Sequence, residues 1–168
     1  RCMTSSIIGR TGASTWGRVA LVGQLLADAG MRLGGLEYIG PKTFWSTERF
    51  PFIHSLREMR ELIAESGCGN VGLILDSFHW YTAGESADDL EGLTDADIVS
   101  VDVNDAPQGG LERDEQKDLE RRLPWDTGVI DLEGFTSALH AAGCSGPVKA
   151  EPFLSDHGGA STAEVLAD

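Results

Sequence analysis

The stretch that most constrains the fold is an uninterrupted apolar run that ends in an acid. Residues 71–75 read Val-Gly-Leu-Ile-Leu, Asp76 follows directly, and His79 comes three residues later. Because the run lacks polar alternation, it predicts a buried strand of a parallel sheet. Ligand sites in α/β folds form at the carboxyl ends of such strands. Asp76 and His79 could therefore serve a divalent metal or a hydroxylated substrate, although a turn capped by Asp76 explains the same spacing.

Helical and strand patterns alternate on both sides of this run. Apolar residues recur at helical spacing, and a glycine follows each time, over 15–29, 51–66 and 131–142. Further strands are predicted at 33–39, 97–103 and 147–153, with a strand end at 1–8, a short helix at 86–93 capped by Ser86, and the start of a helix at 158–168. Each long helix can cross over between parallel strands, so the order predicts a β/α fold.

Two β/α architectures fit this order, a doubly wound sheet and part of a (β/α)8 barrel. The first strand is not followed by the glycine-rich phosphate loop of a dinucleotide-binding sheet. Acids instead end four strands: Glu37, Asp76, Asp102 and Glu151. In a barrel the strand ends converge on one central site. The sequence therefore predicts a TIM barrel, with residues 1–168 as a single domain that supplies part of it.

Charge and composition narrow the partners. The formal net charge of −14 disfavours nucleic acid and anionic membranes, because few Lys and Arg are available to neutralise phosphates. No apolar stretch approaches the ~18–20 residues of a membrane span. The charge therefore favours a small-molecule substrate. Three cysteines without CxxC spacing fit reduced thiols, so a cytoplasmic protein is expected. The chain opens Arg1-Cys-Met, and we expect it to be a piece of a longer protein.

Five segments together resemble a known family, the xylose isomerase-like barrels, and within it the sugar phosphate isomerases and epimerases. The segments are Leu36-Glu-Tyr-Ile-Gly-Pro-Lys42, Leu75-Asp-Ser-Phe-His-Trp80, Val101-Asp-Val-Asn-Asp-Ala-Pro107, Arg122-Leu-Pro124 leading to Gly128-Val-Ile-Asp131, and Gly146-Pro-Val-Lys-Ala-Glu-Pro-Phe153. The resemblance covers nearly the whole chain. It implies an enzyme of carbohydrate metabolism to which this chain contributes strands four to eight.

The resemblance also implies a divalent metal at the mouth of the barrel. The matching ligands are Glu37, Asp76, Asp102 and Glu151, and Asp102 stands where the family usually has His. An all-carboxylate site favours Mg²⁺ or Mn²⁺, with Zn²⁺ or Co²⁺ as softer alternatives. Asn104 or Asp105 could compensate for the missing imidazole, but strand alternation places Asp102 and Asn104 on the same face, so Asp102 is kept as the predicted ligand.

Three basic side chains are expected near the substrate. By resemblance His79 contacts a substrate oxygen, although a turn histidine remains the alternative. Arg122, which precedes Leu-Pro, takes the place of a substrate-binding arginine, with Arg121 as the alternative alignment. Lys149 either contacts sugar oxygens or forms an ion pair with Glu151.

The implied reaction is proton abstraction next to a carbonyl, through a metal-stabilised enediolate. Glu37 and Glu151 are the expected base and acid, one on each face of the substrate. A non-catalytic or degenerate sugar-binding barrel is the alternative, because Asp102 and the Leu-Pro-Trp-Asp loop depart from the family pattern. An endonuclease IV-like DNA repair enzyme is disfavoured by charge. We expect the missing strands from the same protein or another chain, and a homo-oligomer is one such arrangement.

Overall fold

Four parallel strands form one sheet in the computed structural model, which describes residues 14–31, 33–40 and 53–153. The strands, in spatial and chain order, are β1 (Leu33–Leu36), β2 (Val71–Asp76), β3 (Ile98–Val103) and β4 (Val148–Ala150). The helices are α1 (Ser14–Asp28), α2 (Leu56–Ser66), α3 (Ser77–Thr82) and α4 (Leu132–Ala141). The strand end predicted at 1–8 and the helix predicted at 158–168 lie outside the described residues.

Strand β2 is an inner strand of this sheet, as its apolar composition predicts. It pairs with β1 on one side and β3 on the other, both in parallel. Leu73 and Leu75 are each only 1% exposed. The covering core is apolar and comes from α2 and α4: Leu56, Met59, Leu62, Leu132, Phe135 and Leu139. Burial on this scale stabilises a strand by roughly 1.5–3 kcal/mol for each large side chain.

Helix α2 begins later than the pattern indicates, because a cap fixes its first turn. Ser55 is the N-cap, and its hydroxyl oxygen accepts a hydrogen bond from the Glu58 N–H at 3.3 Å. Gly67 ends the helix in the left-handed conformation at φ 64°, which costs glycine little. The predicted start at residue 51 lies outside the described residues.

Helix α3 is an element that the sequence analysis did not predict. The expected turn after Asp76 is a helix of six residues, in which Asp76 is the N-cap and accepts from the Phe78 N–H at 2.7 Å. Phe78 and Trp80 are buried. The helix fixes His79 one turn beyond the end of β2.

Helix α1 contacts β1 and α2, but part of its apolar surface faces solvent. Leu21 and Leu25 are each 60% exposed and Val22 is 43% exposed. The amphipathic pattern at 15–29 thus predicts the helix correctly, while these side chains lack a covering layer among the described residues. No helix in the described part of the chain is long and apolar enough to cross a membrane.

The polar segment at 106–128 contains two short 3-10 helices, Arg113–Glu115 and Asp118–Glu120. It returns to the sheet where Asp105 and Arg122 form an isolated antiparallel bridge. The segment therefore passes over the carboxyl end of β3.

Candidate active site

The strand register lines up three of the predicted site residues in one row. Asp76 on β2 pairs with Asp102 on β3, and Asp102 pairs with Lys149 on β4. Glu37 and Glu151 follow the ends of β1 and β4. Donor atoms of Glu37, Asp76 and His79 lie within 4.8 Å of one another, as do those of Asp76, Asp102 and Glu151. The structure thus brings the four predicted acids into two overlapping groups that share Asp76.

Asp76 is the most buried member of this acidic cluster, with 1% of its surface exposed. Its Oδ1 accepts from the Phe78 N–H at 2.7 Å and from the Asn104 amide at 3.3 Å. Its Oδ2 accepts from Arg121 Nη1 at 2.7 Å. Burial raises the pKa of Asp76, although Arg121 opposes the shift. The carboxylate is therefore held rigidly by three different elements.

His79 reaches the cluster from the first turn of α3 and is also buried. Its Nε2 lies 2.9 Å from Arg121 Nη2 and 4.0 Å from Glu37 Oε1. Because a guanidinium only donates, Nε2 must accept this hydrogen bond, which assigns the ring proton to Nδ1. Nδ1 faces Asp118 Oδ1 at 4.0 Å. His79 therefore lies in the site as predicted.

Arg121, and not Arg122, is the arginine that enters the cluster. Arg121 is 4% exposed, and its Nη1 also donates to Glu151 Oε2 at 3.0 Å. Arg122 faces outward, and its Nε donates to Asp126 Oδ2 at 3.1 Å. The expected placement of Arg122 is wrong, because its backbone pairing with Asp105 turns its side chain away and that of Arg121 inward.

Asp102 and Lys149 meet at the β4 side of the cluster. Asp102 is 3% exposed, and its Oδ1 lies 3.4 Å from Lys149 Nζ. Lys149 Nζ is also 3.4 Å from Glu151 Oε1. Burial raises the pKa of Asp102, and the Lys149 charge opposes that shift. The ion pair between Lys149 and Glu151 that the sequence left open is present.

Glu37 stands at the more open, β1 side of the cluster. Burial is the first cause that raises its pKa, to about 7, and the charge of Asp76 adds to it. Three acids of the cluster, Glu37, Asp76 and Asp102, thus have raised pKa values. The site is short of positive charge, even with Arg121 and Lys149 beside it.

A family model described as "Xylose isomerase-like TIM barrel" matches residues 18–167. The chain belongs to this family. The four described strands are accordingly part of a (β/α)8 barrel, with the site at the carboxyl ends where barrels of this kind place it.

Relatives of the chain in the xylose isomerase-like family are longer than the chain itself. An inosose isomerase from Halalkalibacterium halodurans is 31% identical over 120 residues, which are 68% of this chain and 39% of that protein. A solved xylose isomerase domain protein from Alicyclobacillus acidocaldarius has a TM-score of 0.74 at 37% identity and is covered over 51% of its chain, with 89% of this chain aligned. The solved IolI protein with a bound zinc atom has a TM-score of 0.71 at 24% identity, with 84% of this chain and 47% of that chain aligned. The chain spans about two fifths of the curated relative.

The donor set of this xylose isomerase-like site fits a divalent metal. The clustered donors are carboxylate oxygens and one imidazole nitrogen, and hard divalent ions prefer carboxylates. A cation would also relieve the repulsion that contributes to the raised pKa values of Glu37 and Asp102. The residues and the ion are therefore chemically matched.

Two further residues, Asn104 and Asp118, support the site, and the sequence indicates their roles less clearly than those of the four acids. Asn104 is fully buried; its Oδ1 accepts from the Glu151 N–H at 2.9 Å, and its amide donates to Asp76. Strand alternation with Asp102 indicated its side of the sheet but not these partners. Asp118 lies 3.8 Å from Arg121 Nη2, in a segment that reads as an exposed charge run.

Proposed function

We propose that this chain forms part of a divalent-metal-dependent isomerase or epimerase that acts on a sugar or polyol with a carbonyl group. The observation that carries the proposal is the convergence of Glu37, Asp76, Asp102 and Glu151 at the carboxyl edge of one parallel sheet. The inosose isomerase relative supports a polyol ketone as the substrate class. The charge of −14 is consistent with a neutral sugar better than with a polyanion.

The metal ligands in this proposal are Glu37, Asp76, Asp102 and Glu151. Mg²⁺ or Mn²⁺ suits the carboxylates, while the zinc atom of the IolI protein supports Zn²⁺ as an alternative. The bound ion would stabilise negative charge that develops on the carbonyl oxygen when a neighbouring proton is removed. Of the four, Asp76 is held most firmly by hydrogen bonds, so it would provide the most rigid ligand to the metal.

The proton-transfer groups in the proposal are Glu37 and Glu151, on opposite sides of the cluster. A carboxyl group whose pKa is about 7, as burial makes that of Glu37, can both take and return a proton near neutral pH. Glu151 is oriented through its backbone, which donates to Asn104. Removal of a proton by one acid and its return by the other would give epimerisation.

Substrate oxygens in the proposal are contacted by His79, Lys149 and Arg121, which replaces Arg122. The ammonium group of Lys149 is a donor that suits sugar hydroxyl groups, and His79 presents Nε2 on the side of Glu37. Lys149 has 59% of its side chain exposed and can reach a bound molecule from the β4 side.

The proposal is tested by exchange of solvent deuterium into a ketose or inosose at the carbon next to the carbonyl. We expect exchange that needs added Mn²⁺ or Mg²⁺ and falls by about 100-fold or more in Glu37→Gln and Glu151→Gln. Glu61→Gln is the matched control, because Glu61 lies on the exposed side of α2 beside Arg57. Sugar binding without any exchange would instead favour the non-catalytic sugar-binding barrel.

We also propose that strands from outside this chain complete the barrel. Within the described sheet, β1 and β4 are the edge strands, and Val148 on β4 is 61% exposed. Exposed edges and apolar side chains favour association. Light scattering and amide exchange test this: we expect self-association of the isolated chain, or rapid exchange in β4. A monomer with slow exchange in β4 would contradict it.

A further inference from the structure

The guanidinium group of Arg121 fills the space between the acids of the cluster. Nη1 donates to Asp76 Oδ2 at 2.7 Å and to Glu151 Oε2 at 3.0 Å, and Nη2 donates to His79 Nε2 at 2.9 Å. These contacts touch both groups of candidate metal donors, the one with Glu37, Asp76 and His79 and the one with Asp76, Asp102 and Glu151. Arg121 thus occupies one carboxylate oxygen on each of two proposed metal ligands, Asp76 and Glu151.

The position of Arg121 is built into the fold. Its guanidinium carbon lies 5.0 Å from the centre of the Phe78 ring and 4.9 Å from that of Phe153. Cation–π contacts of a desolvated guanidinium are stabilising. The next residue, Arg122, is held through both backbone groups by Asp105. The side chain is therefore fixed from two directions, unlike a mobile surface arginine.

We infer that Arg121 is the resident counter-cation of this cluster and competes with a divalent metal for Asp76 and Glu151. The inference rests on the proposed metal-dependent function and deepens it. Metal–oxygen bonds are about 2.0–2.2 Å long, so an ion shared by Asp76 Oδ2 and Glu151 Oε2 conflicts with Nη1 in space as well as in charge. Metal binding requires Arg121 to leave these oxygens, and by linkage the contacts that hold Arg121 weaken metal affinity.

Lys149 is the weaker competitor of the two cations. Its Nζ is 3.4 Å from both Asp102 Oδ1 and Glu151 Oε1, and most of its side chain is in solvent. It can move away without leaving the packed interior, whereas Arg121 is 4% exposed. The barrier to metal entry therefore lies with Arg121.

The test is a titration of the chelator-treated full chain with Mn²⁺, in which the electron paramagnetic resonance signal of free Mn²⁺ gives the dissociation constant. We expect Arg121→Gln to bind Mn²⁺ about tenfold or more tightly than the parent chain, because a hydrogen-bonded charge has been removed from the ligands. Arg122→Gln is the matched control: it removes the same charge one residue away, where Arg122 faces Asp126. We expect its affinity to stay within about twofold of the parent.

Each outcome of the titration decides the inference. Equal tightening in Arg121→Gln and Arg122→Gln, or weaker binding in Arg121→Gln, overturns the competition and leaves the metal-dependent function standing. Absence of Mn²⁺ binding in the parent and in both variants overturns the inference and the metal-dependent function together.

A second measurement needs no substitution and covers the case in which Arg121→Gln fails to fold. Saturation of the parent chain with diamagnetic Mg²⁺ should shift the side-chain NMR signals of Arg121, as its hydrogen bonds to Asp76 and Glu151 break. Arg113, which stacks over Tyr81 at 5.1 Å, serves as the internal reference. Mg²⁺ binding with unchanged Arg121 signals overturns the competition.

Discussion

Asp105 and Arg122 are joined through both of their backbone groups. The Asp105 N–H donates to the Arg122 carbonyl oxygen at 3.0 Å, and the Arg122 N–H donates to the Asp105 carbonyl oxygen at 2.8 Å. The Asp105 carboxylate then accepts four backbone N–H groups, those of Ala106, Thr127, Gly128 and Ile130. Asp105 itself is fully buried. This single side chain fixes the segment that carries Arg121 into the acidic cluster.

The first prediction is that Asp105→Asn destabilises the protein by about 2–3 kcal/mol in urea unfolding. An amide in place of the carboxylate turns an N–H₂ group toward backbone donors, so at least one of them loses its acceptor. Asp126→Asn is the control, because Asp126 is exposed and pairs with Arg122 at the surface; we expect a change within about 0.5 kcal/mol. Equal effects of the two substitutions would contradict the role of Asp105.

The stabilisation by Asp105 should depend on pH. Burial alone would raise its pKa, but the backbone N–H groups, that of Ile130 foremost, outweigh it and hold the pKa below its usual value. Since the folded pKa is the lower one, the stabilisation is fully present above the unfolded pKa of about 3.9 and is lost as pH falls through the folded pKa. The difference in unfolding free energy between the parent and Asp105→Asn should narrow below about pH 4. A difference that stays constant from pH 7 to pH 3 would exclude this linkage.

Gly40 provides a prediction about the loop that follows Glu37. A Cβ at this position would collide with Thr82 Oγ1 and lie 2.8 Å from the His79 carbonyl oxygen. Gly40→Ala should therefore cost about 1–3 kcal/mol in thermal unfolding and move Glu37 relative to His79. Gly69→Ala is the matched control, since its Cβ would meet no atom within 4 Å. If Gly40→Ala were as stable as Gly69→Ala, the loop would be able to shift and accommodate the added methyl group at little cost in stability, which would contradict the prediction.

Much of the fold could be predicted because the residues that form apolar patterns in the sequence are the ones buried in the structure. The run at 71–75 is a buried inner strand, and its apolar side chains have no alternative to the core. The helices at 56–66 and 132–141 follow from apolar spacing with capping residues at both ends. Helix α3 could not be predicted, because Phe78 and Trp80 continue the apolar composition of β2. Only the cap made by Asp76 separates the two elements.

The acids of the site could be placed from sequence, whereas their counter-charges could not. Asp76 and Asp102 follow from the carboxyl ends of parallel strands, which a barrel brings to one place. The choice between Arg121 and Arg122 depends on which of them pairs with Asp105, at the other end of a long polar segment without regular strands. Such a contact has no local periodicity, so the sequence left both arginines open. The exposure of apolar side chains on α1 could not be predicted either, because helical spacing identifies an apolar face but not the element that packs against that face.

The last prediction concerns Asp102, which stands where the family resemblance leads us to expect a histidine. Its carboxylate is buried, and its contact with the exposed Lys149 is 3.4 Å long. An exposed ion pair is worth about 0–1 kcal/mol, less than burial of a carboxylate costs. Asp102→Asn should therefore raise the melting temperature of the chelator-treated protein, yet reduce the further rise that Mn²⁺ produces, since a charged ligand is lost. Asp102→His should keep metal binding and shift preference toward Zn²⁺ or Co²⁺, because imidazole is the softer ligand. Metal titrations of both variants beside the parent measure this, and unchanged affinity and selectivity in both would place Asp102 outside the ligand set.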